Sequence, residues 1–274
     1  MTSSHIFSIV TFIYFGSFFF YLIYFFLRDN LTSKVATALA YIGLIMQIVA
    51  FFLRWKESYA MGMGHIPLSN LYESLIFFTI MTVMIYLILQ YIYKIHIVGA
   101  FVMLFPVLTL AFCSLYVPNE IEPLVPALQS NWLTAHVVTC FLSYAAFAVS
   151  CGISILYFIK KRNPEKLKFI PSLELLDDLI YKSIAIGFPM LSLGIITGAA
   201  WANYAWGTYW SWDPKETWSL ITWFVYAAFL HARFTKGWRG SKAAMLSIIG
   251  FGSVLFTYLG VNLLLSGLHS YGSI

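Results

Sequence analysis

Eight stretches of this chain, about 6–27, 35–53, 70–93, 96–116, 132–159, 183–205, 217–234 and 242–266, run for eighteen residues or more almost without a charge. A helix needs roughly 20 mainly apolar residues to cross a bilayer, and lipid leaves no other partner for the backbone of such runs than the helix itself. A membrane β-barrel would alternate apolar and polar positions, which these unbroken runs do not. The expectation is therefore an all-α polytopic membrane protein, an eight-transmembrane-helix bundle forming a single integral membrane domain over residues 1–274. Composition agrees. Charged residues make up 10% of the chain and mean hydropathy is +0.82, against roughly 25% charged in a soluble domain. A soluble enzyme and a disordered regulator are excluded.

The first run lacks a basic leader and a small-residue cleavage site, so it reads as a mature span. The tightest junction is Tyr93-Lys94-Ile95-His96, where the third span passes straight into the fourth. A net charge of +5 would suggest nucleic acid for a soluble protein; here the sixteen basic residues report topology instead, and the expected surroundings are membrane lipid and no nucleic acid. With the first terminus outside, Arg28, Lys34, Lys94, the basic residues of 160–182, Arg233, Lys236, Arg239 and Lys242 fall inside, and only Arg54, Lys56 and Lys215 fall outside. The positive-inside rule selects this orientation, with both termini external. Residues 164–182 interleave leucines with Lys166, Lys168, Glu174, Asp177 and Asp178, a pattern for an amphipathic helix on the cytoplasmic surface or for a helical extension of the bundle. Three cysteines without a CxxC pair point to buried free thiols.

The loops on the outer side hold the chemistry. Seven of nine tryptophans lie between Trp201 and Trp238, and WGTYWSWDPKETW, from Trp206 to Trp218, holds four of them. Indole rings give a flat apolar ligand large stiff walls, with Asp213 and Lys215 as polar fixing points. A structural interfacial loop and a protein-docking loop are the other readings. His136, at the start of the fifth span, and His269, after the eighth, return to the same side as this loop in the eight-span topology. Neutral imidazoles ligate haem iron, and the pair would approach a porphyrin from opposite faces; capping of helix ends is the plainer alternative. His231 sits toward the inner end of the seventh span, as a lower ligand, a titrating group or an interhelical hydrogen bonder. In GHIPLSNLYESLIFF, His65 and Glu73 read as structural or channel-lining, with Ser69 or Asn70 capping the third span. Gly194-xxx-Gly198 permits close helix packing.

The tryptophan stretch, followed by LHAR, GVNLL and GLHSYG and preceded by GHIPLSNLYESL, resembles the CcsA (ResC) family of cytochrome c biogenesis proteins from Arg54 to the end. The resemblance implies the haem delivery and presentation subunit of a cytochrome c synthase (a haem lyase), acting with a ResB-like partner on an apocytochrome c carrying CxxCH. It implies haem b as transported substrate, with His136 and His269 as external iron ligands and His231 as the membrane ligand. Trp206, Trp210, Trp212 and Asp213 match the external haem-binding signature within the 206–218 loop. A passive haem scaffold or a transmembrane transporter without a role in attachment is the alternative. The setting implied is the bacterial inner membrane or, alternatively, the thylakoid.

Overall fold

In the computed structural model, which describes residues 2–265, the described residues are helical, without strands. Seven helices among them are long and apolar enough to cross a bilayer. They fall into two compact units that part at Val125 and Pro126.

In the first unit α1 (Ser3–Leu27) and α2 (Asn30–Ala60) form a hairpin. Arg28 takes a left-handed conformation to close α1, and Asp29 caps α2 by accepting from the Thr32 N–H at 3.0 Å. α2 is 31 residues long and continues through Arg54, Lys56 and Glu57, so only the second part of the expected 54–69 loop is irregular. The reason is local chemistry: Glu57 reaches back to cap the first turn of α1 at Ser3, 2.9 Å from its N–H, and Arg54 is buried against Glu73. α3 (Leu71–Tyr93) starts on Asn70, whose side chain accepts from the Glu73 N–H, and ends on Lys94 at φ 56°. A 3-10 turn (His96–Val98) and the helices α4 (Gly99–Val102) and α5 (Leu104–Tyr116) complete the unit. Its interior is polar in places: Tyr14 donates to Gln47 at 2.8 Å, and Tyr21 donates to Gln90 at 2.6 Å.

The second unit is built on α6 (Asn131–Arg162) packed along α7 (Leu173–Trp206), with α9 (Ser241–Leu255) against α6 and α8 (Pro214–Lys236) against α9. The last helix leaves α geometry for one π turn, Phe256–Gly260, before α10 (Val261–Leu264). α8 has the length of a span, 23 residues, but carries polar groups at both ends, and it is not among the seven apolar helices. Residues 164–170 are turns, and 173–182 are the first turns of the 34-residue α7; the separate surface helix drawn over 164–182 is replaced by that extension. Its Asp177 explains why. The carboxylate is buried between Arg233, 2.6 Å away, and the Gly240 N–H at 2.7 Å, which draws this end of α7 onto α8 and the 237–240 turn. Lys160 secures the preceding loop through the carbonyls of Leu167 and Ile170 at 2.8 and 2.9 Å. All three cysteines are free and buried.

Candidate functional site

The site lies in the second unit, around the N-terminal ends of α6 and α8. Ser130 caps α6, and His136 follows less than two turns later. Its Nδ1 lies 2.7 Å from the carbonyl oxygen of Gly194 on α7. A carbonyl only accepts, so Nδ1 carries the hydrogen and the lone pair of the neutral ring sits on Nε2. That is the tautomer a metal takes, with the carbonyl as the orienting partner. The imidazole has room because α7 offers glycine on this face: a Cβ at Gly198 would stand 2.6 Å from the His136 Nδ1, and one at Gly194 would stand 2.5 Å from the Cys140 Sγ. The Gly-xxx-Gly pattern thus makes the bed in which the histidine ring lies.

Aromatic rings wall the ring in. Trp201 stacks on His136, centroids 6.0 Å apart and planes 18° apart, and its indole N–H donates to the Ala127 carbonyl at 2.8 Å. Trp206 meets Trp201 edge-on at 5.1 Å. Beyond Gly207, which ends α7 at φ 79°, Trp210 and Trp212 form a second edge-on pair at 5.7 Å. Trp212 is 68% exposed and holds a φ of 61°, a conformation that a bulky residue rarely takes and that turns up at functional sites.

The second half of the 206–218 stretch is not loop. Asp213 is the N-cap of α8, Pro214 its first residue and Glu216 its third, and the pair make a reciprocal capping box. The Asp213 carboxylate accepts from the Lys215 N–H at 3.0 Å; Glu216 accepts from the N–H groups of Ser211 at 2.8 Å and Asp213 at 3.1 Å. Asp213 therefore spends its side chain on the helix terminus. Sequence reasoning passed over this role, although Asp-Pro-x-Glu spells a cap with proline in the first turn.

A pocket opens between these elements, lined by His136, Tyr144, Gly198, Trp210, Lys215 and Thr257 among others. Thr257 comes from the π turn, its hydroxyl 2.9 Å from that of Thr222 on α8. Trp206 and Trp212 do not line the pocket; an imidazole, the Trp210 indole and a cation suit a flat metallated ring with acidic substituents, and the donor set fits haem. Among the described residues no group of three or more His, Cys, Asp and Glu side chains could hold a bare metal ion. His231 is exposed on α8, seventeen residues from Pro214, about 26 Å along the helix at 1.5 Å per residue; the structure does not bring it to the pocket. His269 lies outside the described residues.

The first unit's histidine motif is closed on itself. His65 is buried, with Nδ1 3.1 Å from the Ile66 carbonyl and Nε2 3.0 Å from the Glu122 carbonyl. Glu73, buried, sits 2.8 Å from the Arg54 Nε and accepts from Ser69, while Arg54 donates onward to the carbonyls of Asn119 and Glu120.

Comparison with known proteins bears on all of this. The family model described as cytochrome C assembly protein matches residues 68–269. Cytochrome c biogenesis protein CcsA of Chlamydomonas reinhardtii is 46% identical over 239 residues, 83% of this chain and 65% of that protein, so the chain spans a little under two thirds of that relative. The CcsA of Guillardia theta is 46% identical over 80% of this chain and 79% of its own length, and that of Gloeobacter violaceus 38% identical over 90% and 89%. Among solved structures, cytochrome c haem lyase CcmF superposes with a TM-score of 0.76 over 94% of this chain and 47% of its own, at 16% identity, a likeness of fold.

Proposed function

The chain belongs to the cytochrome c assembly protein family, among the CcsA proteins, and from that membership we propose that it delivers haem and presents it for covalent attachment to an apocytochrome c. A part in cytochrome c maturation, in a membrane, follows from the family; the finer assignment rests on the pocket. One observation carries it: the Gly194 carbonyl fixes His136 with its lone pair on Nε2, stacked on Trp201 and lining a cleft shared with Trp210 and Lys215.

In this reading haem b is the substrate. His136 takes one face of the iron and His269 the other, Trp206, Trp210 and Trp212 hold the ring, and Asp213 holds the start of α8 on which the cleft depends. His231, toward the other end of α8, meets haem on its way in, with a second ligand from a ResB-like partner. Attachment adds each S–H of a CxxCH segment across a vinyl C=C of the haem. Neither oxidation nor a nucleophile from this chain is needed, and its contribution is orientation, an effect that lowers a bimolecular barrier. The charge distribution supports an orientation with the pocket on the outer face.

Reconstitution tests the proposal. With a ResB-like partner and a CxxCH apocytochrome under reducing conditions, adding this protein should raise covalently attached haem, and His136→Ala should remove most of the rise. No rise with a competent partner would reject the attachment role; haem crossing vesicles without attachment would favour a transporter.

A further inference from the structure

The end of the second unit away from the pocket carries most of that unit's charge. There α6 and α8 end, at Arg162 and Lys236, and α7 and α9 begin, at Leu173 and Ser241. Residues 160–182 and 233–242 hold ten lysines and arginines against four carboxylates. Three of the four carboxylates have cationic partners: Asp177 meets Arg233 at 2.6 Å, Asp178 meets Lys182 at 2.7 Å and Glu165 meets Lys168 at 2.8 Å. Glu174, the fourth, lies in the first turn of α7, where its charge suits the helix pole. Lys161, Arg162, Lys236, Arg239 and Lys242 are exposed, and among the described residues none of the five is in an ion pair.

Contacts within the unit gather these cations. The Lys161 ammonium donates to the Ser241 hydroxyl, tying the end of α6 to the start of α9. The Lys242 ammonium lies 4.9 Å from the centroid of the Trp238 ring, and Trp238 is 37% exposed in the turn that also carries Arg239. Unpaired like charges held together gain from an anion brought from outside. An exposed indole among cations, where membrane helices end, fits the headgroup layer: tryptophan favours that depth, and each lysine or arginine near an anionic lipid surface adds about fivefold in binding. We propose that this face binds the phosphate headgroup of an anionic phospholipid through Lys161, Arg239 and Lys242, with the Trp238 indole beside it. The assignment is independent of the haem reading of the pocket.

Native mass spectrometry of the purified full-length chain tests it, with the protein loaded from micelles holding equal phosphatidylglycerol and phosphatidylcholine. The wild type should retain the anionic lipid over the zwitterionic one by roughly tenfold or more. Lys161→Gln/Arg239→Gln/Lys242→Gln should bring that ratio close to parity. Lys34→Gln/Lys56→Gln/Lys94→Gln removes the same charge from exposed positions of the first unit and should leave the ratio at the wild-type value. Equal loss in both triple variants would reduce the effect to net charge and overturn the proposal, as would a wild type without preference. Glycerol 3-phosphate at the concentration of the lipid should not disturb the ratio; if it abolishes the preference, the face takes a soluble phosphate and the lipid assignment falls. Should the first triple variant not fold, Arg239→Gln/Lys242→Gln leaves the Lys161–Ser241 bond in place and should still lower the ratio severalfold. An unchanged ratio in that double variant overturns the proposal.

Discussion

Two histidines, one in the irregular stretch before α3 and one in the second turn of α6, meet backbone carbonyls in different ways. In the first unit His65 has a carbonyl at each ring nitrogen, Ile66 and Glu122, and is consumed in tying the 117–125 segment to the turn before α3. In the second unit His136 gives Nδ1 to Gly194 and is thereby left with the tautomer whose Nε2 can coordinate. The same residue type, with the same carbonyl partner chemistry, is a staple in one unit and, in the proposed function, a ligand in the other. What separates them is the neighbours beyond the ring: a buried ion pair in the unit of His65, a pocket beside His136.

The largest expected effect probes the staple. Glu73→Gln leaves the buried Arg54 guanidinium without its counter-charge, and breaking one side of a buried pair costs about 3–5 kcal/mol. Thermal unfolding in detergent should record a loss of that order. Haem affinity per folded molecule should stay at the wild-type value, because every residue of the proposed haem pocket that the structure describes belongs to the second unit. A large fall in affinity with little change in stability would erase the contrast between the units and make Glu73 part of the ligand path.

The ligand side of the contrast breaks at a glycine. Gly198→Val places a Cβ where the His136 Nδ1 contact is 2.6 Å, so the ring must leave the Gly194 carbonyl. Loss of an orienting partner weakens metal binding by roughly 10–100-fold. Haem titration of Gly198→Val should fall in that range and shift the axial-ligand bands, and unchanged bands would show that the carbonyl does not set the ligand.

How much of this could be read from the sequence divides along physical lines. Spans were legible because a run of twenty apolar residues is decided by length, whatever its neighbours; the Lys94 junction and the tryptophan cluster were legible for the same local reason. Asp213-Pro214-Lys215-Glu216 was legible too, as a capping box, and was overshadowed by the tryptophans around it. The bed under His136 was not. It pairs residues 58 positions apart, and a Gly-xxx-Gly step is the same string whether it admits another helix backbone or an imidazole. Nor did the sequence mark the π turn at Phe256–Gly260, or the continuation of α2 through Arg54 and Glu57, since charged residues look like loop until their buried partners are known.

A smaller effect sharpens the pocket's charge. Because Lys215 titrates near 8 rather than in the usual lysine range, it is charged below that pH and neutral above it. If the charged ammonium meets a haem carboxylate, affinity for iron protoporphyrin IX should fall as pH rises through about 8, by roughly tenfold, while that for its dimethyl ester stays level. The groups facing Lys215 are Asp213 and Glu216 on α8, His136, Cys140 and Tyr144 on α6, Tyr209 in the loop and Tyr258 in the π turn. Lys215→Gln should flatten the profile; a fall that persists in it would assign the titration to one of those neighbours.

The smallest expected effect concerns Asp213, where cap and ligand contact make different demands. Asparagine is as good an N-cap as aspartate, and alanine loses about 1 kcal/mol. If the side chain serves α8 alone, Asp213→Asn should melt within a few tenths of a kcal/mol of the wild type and keep its haem bands, while Asp213→Ala should lose about 1 kcal/mol and bind haem more weakly through the frayed first turn. Removing the negative charge also relieves Lys215 of a neighbour that holds its ammonium up, so the pH at which the acid ligand weakens should move below 8 in the asparagine variant. Wild-type stability combined with loss of haem in Asp213→Asn would mean that the carboxylate itself reaches the ligand. The second unit would then resemble the first in using one acidic side chain to serve both a helix terminus and a cationic partner, as Glu73 does between Ser69 and Arg54.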